Sequence, residues 1–272
     1  MNKGELEKLI PEAKAKFVEK FPDAASLVED VEVYVILNSN REKKRLEVFE
    51  YCDARVRPDE PAEGETVLGK KHKAIIIYAS VIKSKKRFLY VMWHELGHVY
   101  SYVKSSKVFD EAEQDLIYDR DTEIKSGMSL WSELIAEVIA LKVEDAPISS
   151  SMYLKAMQME RFMDEAVNTG NLQTYPLAFF FAMLFADNTV QAWSGDNGGI
   201  VPGVNNCDDD IFEILKPLTN VLGYQLMKKD FAKISRKKMT EIGELVNYLW
   251  DFCIMSQSSR WLRQMATGQL DG

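Results

Sequence analysis

Residues 94–98 read His94-Glu95-Leu96-Gly97-His98, and this HExxH string is the stretch whose residue types and spacing most directly imply chemistry. On an α-helix, positions four apart share a face, so the two imidazoles can converge on one metal ion. Glu95 lies one step round the helix, within reach of a water beside that ion. Two nitrogen ligands with a carboxylate base between them suit zinc, whose catalytic sites use three protein ligands and keep one position open. The alternative is a fortuitous pair of core histidines, and the surrounding elements bear on the choice.

Those elements are legible from periodicity. The run from Lys85 to Val103 contains no proline, and its apolar residues recur at spacings of three and four, which predicts a buried helix. Upstream, Ala74-Ile75-Ile76-Ile77-Tyr78-Ala79 is short, β-branched and flanked by Lys70-Lys71-His72-Lys73, which predicts a buried strand. Gly97 inside the helix costs about 1 kcal/mol against alanine, and is reasonable where another element packs closely on the helix backbone. A strand feeding an apolar helix with HExxH near its middle resembles the active-site helix of the zincin metallopeptidases, in which HELGH is a frequent form of the motif.

The third ligand is not another histidine. The chain has three, and His72 lies before the motif in a basic loop where a solvated role is expected. The extended HExxHxxGxxH string of the metzincins is absent, since Ser101, Lys104 and Val108 occupy its later positions. A carboxylate remains. The segment Ser129 to Lys142 reads as a strongly apolar helix interrupted by Glu133 and Glu137, four residues apart on one face. A carboxylate on so apolar a helix is costly to bury without a partner, and a metal ion or a metal-bound histidine is such a partner. Glu123 is a further candidate, within an acidic stretch from Asp110 that reads as a solvated connection.

This arrangement resembles the gluzincin pattern, in which a glutamate on a second helix completes the site. Carried onto this chain, the resemblance implies Glu133 as the third ligand beside His94 and His98, and Glu137 as the acid that orients a zinc-bound histidine. The spacing of Glu133, Ala136 and Ala140 is also similar to the ImmA/IrrE-type metallopeptidases, which pair HELGH with a later glutamate on such a helix. Glu137 stands where that pattern would carry Asn or Asp. The likeness covers about residues 85 to 145. It implies a Zn2+-dependent peptidase acting on a peptide or protein substrate, with Glu95 as general base and a tyrosine or arginine holding the oxyanion. Tyr153, Tyr175 and Tyr224 are candidates for that last role. The alternative is a zincin-fold regulatory or protein-binding module that holds zinc with little or no general peptidase activity.

Composition narrows the partners. The 272 residues suffice for a large core, and 46% hydrophobic with 28% charged residues is ordinary for a globular enzyme. A net charge of −8 argues against nucleic acid, which needs a basic face. The start of the chain has no apolar stretch of the secretory kind, and the longest apolar run, Leu177 to Ala186, is too short to span a bilayer. Cys52, Cys207 and Cys253 form no CxxC pair and read as free thiols, so a cytoplasmic location away from membranes is expected. Oligomeric state is not encoded in any of these features.

Along the chain, the expected elements are a helix over 3–20, strands over 31–37 and 45–51 joined by a turn at 38–40, a loop over 57–65, the strand at 74–79 and the helix at 85–103. Helices follow at about 129–144, 149–168, 174–187, 209–229 and 237–265, with a glycine-rich loop over 193–206. The expected fold class is therefore α+β and zincin-like. A lobe over 1–125 would carry a small sheet and the HExxH helix. A helical lobe over 126–272 would carry the third ligand, the two forming one catalytic unit.

Overall fold

Only a strand covered on both faces can bury an unbroken apolar run. In the computed structural model that strand is β3, Lys73–Tyr78, the centre of a three-stranded mixed sheet in the order β1-β3-β2. β1, Glu32–Ile36, pairs with β3 in parallel, and β2, Gly64–Leu68, pairs with it antiparallel. The structure describes residues 1–57, 62–118, 123–144, 209–248 and 251. It is a mixed α+β protein with mostly helical content around one small sheet.

The register decides what each face of the sheet can touch, because paired residues point the same way. Ala74, Ile76 and Tyr78 share one face with Val67 and Glu65, and pack in one core cluster with Val48, Phe49 and Cys52. Ile75 and Ile77 face the opposite side together with their partners Thr66 and Gly64.

The segment covering the first face corrects the expected strand over 45–51. It is helix α4, Arg41–Cys52. Its buried residues Arg45, Val48, Phe49 and Cys52 fall at i, i+3, i+4 and i+7, a helical stripe. Leu46 and Tyr51, which made the segment look alternating, are 42% and 40% exposed. β2 likewise begins inside the expected loop over 57–65, since pairing with β3 makes a strand of Gly64 and Glu65, residues with little β preference of their own.

The expected N-terminal helix over 3–20 is two helices, α1, Lys3–Glu7, and α2, Ile10–Lys20. Pro11 explains the break, because it lacks the N–H that would reach the Glu7 carbonyl and its ring crowds that carbonyl. A short α3, Ala25–Asp30, leads into β1.

The HExxH helix, α5, Lys85–Tyr118, kinks at Ser105, where φ −133° and ψ 24° leave the helical region. The portion before the kink agrees with the expected helix over 85–103, whereas the acidic residues from Asp110 continue as helix to Tyr118 rather than forming a connection. Helix α6, Glu123–Glu144, begins at Glu123 instead of 129, with an acidic residue in its first turn where the helix dipole favours one. A further helix, Asp209–Leu226, matches the expected one at 209–229, and residues 236–248 are helical. The helices expected at 149–168 and 174–187, the loop over 193–206 and the chain beyond 251 lie outside the described residues. No described helix is long and apolar enough to cross a membrane.

The chain divides into two compact units, Met1–Lys104 with Ile135–Pro147, and Ser105–Leu134 with Ile148–Gly272. In the first, the α2 carbonyl of Ala13 accepts a hydrogen bond from Trp93 Nε1 at 3.1 Å, and the rings of Phe17, Phe21 and Tyr100 pack together. In the second, Ser105 Oγ accepts from the Ile234 N–H at 2.9 Å, which supports the α5 kink. There Ser126 also donates to Asn247 Oδ1 at 2.6 Å, and buried Gln225 Nε2 donates to the Lys233 carbonyl at 2.6 Å.

Candidate metal centre

Leu96 and Val99 are buried along α5, which anchors the turns that carry His94 and His98. The two imidazole rings stand edge to face, with centroids 4.7 Å apart and Nε2 atoms 3.0 Å apart. Two nitrogens bound at about 2.0–2.1 Å to one tetrahedral zinc ion would lie about 3.3 Å apart. The pair is therefore within a few tenths of an ångström of ligating geometry. Without a metal, the same approach suits a hydrogen bond between one protonated and one bare ring nitrogen.

α6 reaches this pair through a close helix contact. A Cβ on Gly97 would lie 2.8 Å from Ala136 Cα, so only glycine allows the backbones this near. The expectation that Gly97 answers a close neighbour holds. Glu133 and Glu137 flank Ala136 on α6 and are 7% and 5% exposed. Ligand atoms of His94, His98 and Glu133 all lie within 4.8 Å of one another, so the three form a group that could hold a metal ion. Two imidazoles and a carboxylate make a donor set suited to zinc and its transition-metal neighbours rather than to calcium.

Glu137 does not join that group. Its Oε1 lies 3.7 Å from Nδ1 of His94, and its Oε2 accepts a hydrogen bond from the Tyr90 hydroxyl. Burial, and then the Glu137 charge, raise the Tyr90 pKa well above the ordinary phenol value, so the tyrosine stays a donor. Glu123, the remaining carboxylate candidate, is exposed at the start of α6.

Glu95 is 6% exposed and turned towards β2. Thr66 Oγ1 donates to its Oε2 at 2.7 Å, and also lies 3.1 Å from its carbonyl oxygen. A Cβ on Gly64 would come within 2.7 Å of Glu95 Oε1, so the strand crosses the carboxylate where it has no side chain to place there. The sheet register accounts for this, since Gly64 and Thr66 share the face opposite α4.

His72 sits on the turn between β2 and β3, exposed, with its ring stacked on Tyr51 at 4.4 Å between centroids. Of the tyrosines considered for an oxyanion role, Tyr224 is 71% exposed, and Tyr153 and Tyr175 lie outside the described residues. Sequence reasoning missed Thr66 and Tyr90. Tyr90 carried a signal, because it lies four residues before His94 on the same helix face. Thr66 carried none, since its place beside Glu95 depends on a strand pairing. Comparison with known proteins returns no match: no family model, no curated protein and no solved structure is similar to the chain.

Proposed function

We propose that this chain is a zinc metallopeptidase of the gluzincin type, acting on peptide or protein substrates. The observation that carries the reading is the group of partly buried His94 and His98 with buried Glu133, and the HExxH carboxylate Glu95 next to His94 in the chain. His94, His98 and Glu133 would hold the ion, and Glu137, facing Nδ1 of His94, would orient that ring. When bound, zinc acts as a Lewis acid towards the scissile carbonyl and acidifies water. Glu95 supplies the base: it takes a proton from the attacking water and returns it to the leaving amine. Thr66, bonded to Oε2, keeps the carboxylate oriented. β2 is an edge strand of the described sheet and runs past Glu95, which favours a substrate presented as an extended peptide. The helix bearing HExxH and the small mixed sheet beside it support a zincin-like arrangement.

The test has two parts. Elemental analysis should find about one zinc per chain, lost in His94→Ala, His98→Ala and Glu133→Ala. A peptide-library digest read by mass spectrometry should show cleavage by the wild type. Glu95→Gln, at equal zinc content, should lower it roughly 10²- to 10⁴-fold. Wild-type protein that cannot be loaded with zinc refutes the metal centre. Zinc-loaded protein that cleaves nothing shifts the reading to a regulatory or binding module.

A further inference from the structure

Tyr90, His94 and His98 lie at i, i+4 and i+8 on α5, so the tyrosine sits one turn ahead of the first imidazole on the same face. Its hydroxyl is spent on Glu137 Oε2. The other oxygen of that carboxylate lies 3.7 Å from Nδ1 of His94, while Nε2 of His94 points to Nε2 of His98. The order is therefore phenol, carboxylate, imidazole, and then the position where the two Nε2 atoms converge. Arg87, whose guanidinium lies 5.4 Å from the Tyr90 ring centre, spends its hydrogen bonds on Glu63 and acts on Glu137 through charge, whereas Tyr90 donates a hydrogen bond to it. Glu137 is 5% exposed, and a buried carboxylate without such donors would turn to whatever partner it could find.

We infer that Tyr90 is a positioning residue for the metal centre: by holding Oε2 of Glu137 it aims Oε1 at Nδ1–H of His94, and so fixes the tautomer that presents Nε2 as a ligand. This rests on the proposed metal centre. A role for the Tyr90 hydroxyl as an oxyanion donor is disfavoured, because the hydroxyl has one proton and Glu137 receives it.

The test uses the full chain, stripped of metal and titrated with zinc against a chromophoric chelator. Tyr90→Phe should weaken zinc binding about tenfold, the lower end of what outer partners of metal-bound histidines contribute. Glu137→Ala should weaken it at least as much. The double variant should be no worse than Glu137→Ala, because Tyr90 acts through that carboxylate. Unchanged zinc affinity in a folded Tyr90→Phe variant overturns the inference, as do additive effects in the double variant, and both leave the metal centre standing. Wild type that takes up no zinc removes the metal centre and the inference together. Should Tyr90→Phe fail to fold, the zinc-loaded wild type decides. Long-range 1H–15N spectra must show His94 protonated at Nδ1, and protonation at Nε2 overturns the inference.

Discussion

The Thr66 hydroxyl donates to Oε2 of Glu95 across 2.7 Å, joining the edge strand β2 to the carboxylate inside the HExxH string. The two residues are far apart in sequence, and the bond forms because Thr66 pairs with Ile75 and so faces away from α4. A hydrogen bond to a buried charged acceptor is shorter and stronger than a neutral one.

Thr66→Val keeps the shape and removes the donor. The variant should lose about 1.5–3 kcal/mol of stability, the range for a hydrogen bond to a charged group. Thr66→Ser should recover most of it. Urea denaturation of the three proteins is the measurement, and a valine variant as stable as wild type rejects the bond. At equal zinc content, peptide turnover should fall in the valine variant and return in the serine one.

Gly97→Ala sets two effects against each other. Alanine favours the helix by about 1 kcal/mol, but overpacking typically costs about 1–3 kcal/mol. The new Cβ would meet Ala136 Cα at 2.8 Å, and a backbone atom cannot swing aside. Packing should win, giving a net loss of stability in chemical denaturation. A stabilised variant would mean that α5 and α6 can part without cost.

Arg45 is 4% exposed on α4 and forks onto Glu65 of β2 at 2.8 and 2.7 Å, while Tyr78 donates to the same carboxylate at 2.7 Å. Breaking a buried pair from one side costs roughly 3–5 kcal/mol. Glu65 is partly exposed, so Arg45→Met should cost less, about 2–3 kcal/mol. The double variant Arg45→Met with Glu65→Leu should lie much nearer to wild type. A double-mutant cycle checks this, and simple additivity would show that the pair is not coupled.

Alkaline stability should depend on Cys52. Burial, reinforced by the Glu32 charge, pushes its thiol from 9.0 up to about 11. The folded pKa is raised, so the contribution of the thiol is present in full below pH 9 and is lost as pH rises from 9 towards 11. Unfolding free energies at pH 8 and pH 10 should fall more for wild type than for Cys52→Ala. Tyr78, Tyr90 and Tyr100 also have raised values and titrate in both proteins, whereas Tyr34 and Tyr51 feel the Cys52 charge, so the difference in slope reports the thiol together with its coupling to those two. Equal slopes for the two proteins would contradict the assignment.

Spacing along the chain is enough to put His94 and His98 on one helix face, to mark Glu133 and Glu137 as a pair on another helix, and to find β3. Each of these depends on periodicity within one element, and helix and strand periods are local properties of the backbone. The same local reasoning misread Arg41–Cys52, because Leu46 and Val48, then Phe49 and Tyr51, look alternating until burial shows that Leu46 and Tyr51 are exposed. It also had no means of finding β2, whose Gly64 and Glu65 become a strand only by pairing with Ile77 and Ile76. Which oxygen of Glu137 meets Tyr90 and which meets His94, and why Thr66 rather than a neighbour holds Glu95, follow from the approach of α6 to Gly97 and from the β2–β3 register. Those are contacts between residues distant in sequence. No local period encodes them, because they exist only once separate elements have packed.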